Sequence, residues 1–341
     1  MVRRWVIATL CFTPVAGAAA LACVGDATNS PPVDASVSDT STSSDVTLDP
    51  TSEPASDGGS DGDAGPACNL SSKFGAPELL PGVVNSVGNN VWIWLQRDLL
   101  TAFITSSRPL DGGVTSYNVY SVSRLAQDAS FGQLTSLASV NAAGTGFGPG
   151  SPVVTEDGLT IFFANGPTGG YDTWTATRAQ PFNAFGAATL LPAPLNANGG
   201  GAGEDAVAWI SPDGTTMYFM SNRAGSNNRD IWTSTRSGTG PWQAPTPLAA
   251  VNSAANEDSI ALTRDELQAF LYRSKSIYYT SRANKQAGFS VPVAVTELNL
   301  GSDQLVTWVS EDGCTVYFSS AAAIGDASAG TYRLYRATRG K

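Results

Sequence analysis

The 341-residue chain contains no histidine. No Ser-His-Asp or Cys-His nucleophile can therefore be assembled from it, and no histidine-bearing zinc site. Its four cysteines, at 11, 23, 68 and 314, are too few and too scattered for a thiolate metal cluster. An excess of basic residues is also missing. Lys and Arg total 19 against 29 Asp and Glu, which leaves no footprint for nucleic acid. The phosphate-loop signature is absent too, because the glycines of "NGGGAGED" (Gly199, Gly200, Gly201, Gly203) are followed by acidic residues and not by Lys-Ser or Lys-Thr. Beyond residue 23 no run approaches 18 consecutive apolar residues, and no 12-residue stretch has a helical apolar period. What remains is the chemistry of carboxylates, amides, hydroxyls and aromatic rings, and no cofactor is expected.

Composition divides the chain into three. Residues 1–22 place Arg3 and Arg4 before a short apolar run that ends in small residues, the pattern of an export signal. The sequence Ala20-Leu21-Ala22-Cys23 resembles a bacterial lipoprotein signal, and that resemblance implies lipidation of Cys23. With Val24 and not Asp after the cysteine, it further implies the outer membrane or cell surface of a two-membrane bacterium. Residues 24–66 hold no Lys, Arg or aromatic residue but carry eight Asp and one Glu among Ser, Thr, Pro and Gly. A segment with so little apolar surface to bury reads, from 23 to 66, as a disordered linker. Without those nine acidic residues the balance in 67–341 is 20 acidic to 17 basic, so the acidity of the whole chain says little about the partners of its folded part. Membrane contact is expected through the lipid alone, and the folded part is expected to be a monomer.

Residues 67–341 repeat themselves five times. An Asp-centred turn recurs at Asp98, Asp157, Asp213, Asp265 and Asp312, each between two apolar runs. An aromatic residue stands four positions before an Arg at Tyr120/Arg124, Trp174/Arg178, Trp232/Arg236, Tyr278/Arg282 and Tyr335/Arg339. Val or Leu followed by Asn recurs at Asn85, Asn141, Asn196, Asn252 and Asn299. The three series keep their order, and each unit holds β-branched and aromatic runs for three strands and a shorter fourth. Four-stranded units at this period predict an all-β, five-bladed β-propeller of four-stranded antiparallel blades. The last unit lacks a fourth strand while "PELLP" at 77–81 has that pattern with no blade before it, so the N-terminal strand is expected to close the ring in the last blade. That closure would bring Cys68 toward Cys314 as a disulfide.

The window "SPDGTTMYFMSNRAGSNNRDIW" resembles the PD40, or WD40-like, repeat of TolB-type propellers. The resemblance is best at 204–236, partial at 151–178 and in the last blade, and weak from 259. It implies the fold and little about activity, because such propellers are scaffolds with many uses. Strand alternation places the Asp turns and the Arg series at one end of the disc, as hydrogen-bonded turns and ion pairs. The other end is expected to carry Glu204 with Asp205, Glu257 with Asp258, and Asp303 around the channel mouth. Asn196, Asn252 and Asn299 are expected just outside, and the loop "SNRAGSNNRD" adds Arg223, Asn227, Asn228 and Asp230. These twelve residues are the binding candidates. The reading is a non-catalytic, envelope-tethered scaffold for a protein or carbohydrate partner. The alternative is a carboxylate-based glycoside hydrolase or lectin-like module, since two carboxylates suffice for glycosidic cleavage.

Overall fold

The computed structural model of the protein describes residues 68–109, 116–143, 148–166, 170–197, 203–322 and 330–340. The signal peptide, Cys23 and the linker expected over 1–66 lie outside the described residues, as does most of the 199–203 glycine run. A two-residue strand β1 (Glu78–Leu79) is followed by β2 (Asn90–Leu95), β3 (Thr101–Ser106), β4 (Asn118–Ser123) and β5 (Thr135–Ser136). The same pattern repeats in β6 (Gly150–Val154), β7 (Thr160–Asn165), β8 (Asp172–Thr177) and β9 (Thr189–Leu190), then in β10 (Asp205–Ile210), β11 (Thr216–Ser221), β12 (Asp230–Thr235) and β13 (Thr246–Pro247). The chain continues with β14 (Glu257–Leu262), β15 (Gln268–Arg273), β16 (Ser276–Ser281) and β17 (Val293–Ala294), and ends with β18 (Gln304–Val309), β19 (Thr315–Ser320) and β20 (Arg333–Thr338).

These strands form five four-stranded antiparallel sheets, the all-β five-bladed propeller that the repeat predicts. The first strands meet in ring order, β2 with β6, β6 with β10, β10 with β14, β14 with β18, and β18 with β2. In the fifth sheet the order is β1-β20-β19-β18, with Glu78 opposite Arg336 and Leu79 opposite Tyr335. A disulfide joins Cys68 to Cys314, 246 residues apart, with Cα atoms 5.9 Å from each other.

Blades packed face to face need apolar side chains on both sides, and every second strand supplies a fully buried phenylalanine: Phe103, Phe162, Phe219, Phe270 and Phe318. Each such ring contributes about 1.5–3 kcal/mol by leaving water. Between first and second strands the Asp carboxylate accepts the backbone N–H two residues on, at 2.8–3.0 Å in all five blades. The next residue is left-handed each time: Gly158, Gly214 and Gly313 at φ 70°, 69° and 72°, and Leu99 and Glu266 at 57° and 60°. In four blades the Arg ending the third strand donates Nε to that left-handed residue's carbonyl, at 2.6–2.8 Å. Asp213 and Arg236 thus meet through the turn backbone and not through the direct ion pair expected of them. Burial pushes the Asp213 carboxyl up, but hydrogen bonds from Ser211 and Thr215 outweigh it and leave it lowered.

Each of these arginines also stacks on an aromatic ring. Arg124 lies 4.6 Å from the Phe131 centroid, Arg178 4.3 Å from Phe185, Arg236 4.5 Å from Trp242, Arg282 4.5 Å from Phe289, and Arg339 4.6 Å from Phe74. The first four rings follow their arginine by six or seven residues, whereas the partner of Arg339 comes from the far end of the domain.

Candidate ligand site at the channel mouth

The asparagine series is scaffold. In every blade the Asn Oδ1 accepts the N–H of the second residue of a third strand: Asn85 from Leu334 (2.8 Å), Asn141 from Val119 (2.8 Å), Asn196 from Thr173 (2.9 Å), Asn252 from Ile231 (2.8 Å) and Asn299 from Ile277 (2.6 Å). In the first four the Nδ2 returns a bond to the same residue's carbonyl, at 2.9–3.0 Å. The amide thus extends the ladder where the short fourth strand has ended. With both ends of the amide held by backbone, Asn196 and Asn252 keep little for a ligand, and the Oδ1 of Asn299 is likewise taken.

The carboxylates separate into two sets, because the first strands begin one residue away from where the sequence suggests. Asp205 and Glu257 each open a first strand, opposite Ser221 and Arg273, in the place that Asn90 and Gln304 hold in other blades. Glu204 therefore corresponds to Asn256 and Asp303, and Glu257 to Asp205; a one-residue offset exchanges the faces. Asp205, 1% exposed, pairs with Arg223 at 2.7 Å and accepts Ser221 Oγ at 2.6 Å and the Ala197 N–H at 2.7 Å. Glu257, fully buried, pairs with Arg273 at 2.6 Å and accepts Ser253 Oγ at 2.6 Å. Arg223 also donates to the carbonyls of Pro194 (3.1 Å) and Leu195. Asp205, Glu257 and Arg223 therefore fasten strand ends, and the structure does not present them at the mouth.

The loop candidates divide as well. Asp230 is buried, with Oδ2 accepting the Asn227 N–H at 3.2 Å. Asn227 and Asn228 are exposed and reach the next blade through Nδ2, to Ser253 O (3.2 Å) and Ala254 O (2.9 Å).

Asp258 and Asp303 line the mouth, and Glu204 is joined to it through Arg229. Arg229 bridges two of them, Nε to Glu204 at 2.8 Å and an Nη to Asp258 at 2.7 Å. Its own burial lowers the Arg229 pKa, but the two carboxylates outweigh that and hold it raised. Asp258 reaches the mouth through a bulge: the β14–β15 register shifts between Glu257 and Ser259, so the intervening residue has no partner in the ladder. Asp303 is exposed and in no ion pair among the described residues; Tyr272 Oη stands 3.4 Å from its Oδ1.

Around these groups opens a cavity of about 520 Å³ lined by Tyr117, Tyr171, Tyr272 and Tyr332, with Asp258 and Asp303 and with Trp92 beneath. Burial pushes all four phenols up, Tyr272 and Tyr332 to about 12, and the charge of Asp303 adds to both. The Glu204 charge similarly adds to burial at Tyr171. All four phenols stay neutral hydrogen-bonding groups at ordinary pH. None of these tyrosines is among the twelve candidates, although three of them carry a signal in the sequence. Counting back seven residues from each repeated Arg gives Tyr117, Tyr171, Arg229, Lys275 and Tyr332, a column that varies inside a repeat that does not.

The opposite end of the channel has a different character. A cavity of about 390 Å³ lies against the indoles of Trp94, Trp209 and Trp308. Over it Arg97 pairs with Glu156 (3.1 Å) and Glu311 (3.3 Å), and Arg264 with the same two glutamates (2.9 and 3.5 Å). This closed ring of four charges ties blades one, two, four and five together. Among the described residues no group of three or more Cys, Asp or Glu side chains is arranged to hold a metal ion.

No protein-family model and no curated protein matches the chain. Solved structures similar to it include a family 117 glycoside hydrolase from the marine bacterium Zobellia galactanivorans, 10% identical over 78% of this chain and 90% of that one, with a TM-score of 0.50. An α-L-arabinofuranosidase from Podospora anserina is 14% identical, over 79% of this chain and 97% of that one, at a TM-score of 0.48. TolB from Acinetobacter baumannii is 14% identical, over 77% of this chain and 57% of that one, at 0.39. At such identities the likeness is one of fold.

Proposed function

We propose that the propeller binds a glycan at the tyrosine-lined channel mouth and does not cleave it. The observation that carries the reading is the cavity itself: four neutral phenols, an indole and a carboxylate that is in no ion pair among the described residues surround a space large enough for one or two sugar rings. Aromatic rings accept the apolar faces of sugars, while phenols and carboxylates bond their hydroxyls. Glycosidic cleavage in the usual way requires two carboxylates acting on one bond. Here Glu204 and Asp258 are both committed to Arg229, and Asp303 alone is unengaged by a cation among the described residues. The fold is shared with a family 117 glycoside hydrolase, so carbohydrate chemistry is compatible with this scaffold in at least that protein.

We read the blades as PD40-type repeats and the N-terminal region as the means of delivery: export, lipidation at Cys23, and a tether over 23–66 that displays the propeller at the outer membrane or cell surface. Among the described residues no helix is long and apolar enough to cross a membrane.

The test is a glycan-array screen of the full chain, with Tyr332→Ala alongside and reducing-end release measured on every glycan retained. Retention that falls tenfold or more in Tyr332→Ala, with no reducing ends released, is the expected result. Release of reducing ends that disappears in Asp303→Asn would replace the binding reading with the hydrolase.

A further inference from the structure

The charge at the mouth indicates which sugar. Among the described residues Arg229 is the one cation lining the cavity beside Asp258 and Asp303, and it is spent on Asp258 and on Glu204 next to the cavity. The unbalanced charge is the Asp303 carboxylate, which lies beside the Tyr272 hydroxyl (3.4 Å) and lines the cavity together with Tyr332. Lys275, although it occupies the tyrosine column, forms no ion pair among the described residues and does not line the cavity. The geometry points to a protonated primary amine as the group this cavity selects, carried by an amino-sugar unit of the glycan, an inference that rests on the carbohydrate reading above.

The chemistry follows from counting donors and acceptors. An ammonium has three donors and no acceptor, whereas Asp303 is an acceptor only and each phenol oxygen can both donate and accept. Bonding the amine to Asp303 leaves two donors for the phenol oxygens of Tyr272 and Tyr332. A charged group entering a cavity loses hydration and must recover it from a paired counter-charge. Asp303 supplies one that is in no ion pair among the described residues. Burial first and the Asp303 charge second push both neighbouring phenols up, so they stay protonated and able to bond the amine. Cations over aromatic rings gain further from the ring quadrupole. Uronic acids and sulfated or phosphorylated sugars meet that same field as repulsion. Val91, Val207 and Leu305 line the cavity as well and provide apolar surface for the ring carbons of the sugar.

The experiment titrates the full chain with four probes of similar length: a glucosamine tetramer, its fully N-acetylated counterpart, cellotetraose, and a tetralysine peptide. The expected result is that the glucosamine tetramer binds at least tenfold more tightly than the acetylated tetramer and cellotetraose. That preference should shrink several-fold between 50 and 500 mM salt and also in Asp303→Asn. Equal binding of the acetylated tetramer or cellotetraose overturns the amine inference while leaving the carbohydrate reading intact. Tetralysine binding as tightly as the glucosamine tetramer overturns the assignment to a sugar. If no sugar binds at all, the carbohydrate reading itself fails. The comparison among probes is made on the unaltered protein, so it decides even where Asp303→Asn lowers stability.

Discussion

Acidic side chains at the ends of the first strands differ in function according to one residue of register. Glu257 is fully buried against Arg273 and Ser253, and Asp258, next in the chain, is turned by a bulge into the mouth. Removing one member of a buried ion pair leaves the other charge uncompensated, at about 3–5 kcal/mol. Glu257→Gln should therefore lower stability by about that amount in denaturant unfolding, because the neutral amide no longer balances Arg273. Asp303→Asn, exposed and free of ion pairs, should stay within about 0.5 kcal/mol of the parent. Equal effects of the two changes would show that the division into buried fasteners and mouth carboxylates is wrong. The adjacent acidic letters in "GEDAVAW" and "NEDSIAL" invite alignment of Glu204 with Glu257, whereas the strands align Asp205 with Glu257. Letters alone do not reveal where a bulge will absorb the extra residue.

At the scale of the blade, the repeat is held by one recurrent device: an Asp turn, a left-handed residue, an Arg bonded to its carbonyl and an aromatic ring beneath the guanidinium. Trp242 is the one indole among four phenylalanines in that last position, and its Nε1 is buried without a hydrogen-bond partner. It also meets Phe162 of the preceding blade edge-on, with centroids 6.2 Å apart. Trp242→Ala should cost about 3–5 kcal/mol through the cavity it leaves. Trp242→Phe restores the ring used elsewhere and removes the unpartnered N–H, so it should cost less than about 1.5 kcal/mol. Thermal unfolding of the two variants checks the equivalence, and losses of similar size would contradict it. The Asp, Arg and Asn columns were legible in the sequence because backbone bonding demands one residue type at one place in each blade. The stacking rings were not recognised, since an aromatic residue in a β-rich chain reads first as core. Phe74, which serves Arg339 from 265 residues earlier, has no local signal at all.

Across the whole molecule the two ends of the channel are built for different purposes. One is lined by three indoles and by the Arg97, Glu156, Arg264 and Glu311 ring, with its charges mutually paired. The other is lined with tyrosines and carries a carboxylate that is in no ion pair among the described residues. Its acidic residues mark that end in the sequence, where the scaffold groups beside them, such as Asp205 and Glu257, have the same appearance as the groups that line the cavity. The tyrosines that shape the cavity come from four blades, and only the ring brings Tyr117, Tyr171, Tyr272 and Tyr332 to one place. That site arises where the blades depart from their shared pattern, and the departures are visible once the repeat is aligned on its arginines. Hydrogen exchange of the full chain, with and without a pooled panel of neutral and amino-sugar oligosaccharides, compares the two ends directly. Protection is expected in the peptides containing Tyr117, Tyr171, Asp258 with Tyr272, and Asp303 with Tyr332, and none in those containing Arg97, Pro212 and Glu311. Protection confined to the Arg97, Pro212 and Glu311 peptides, or absent from both ends, would contradict the assignment of the mouth as the ligand site.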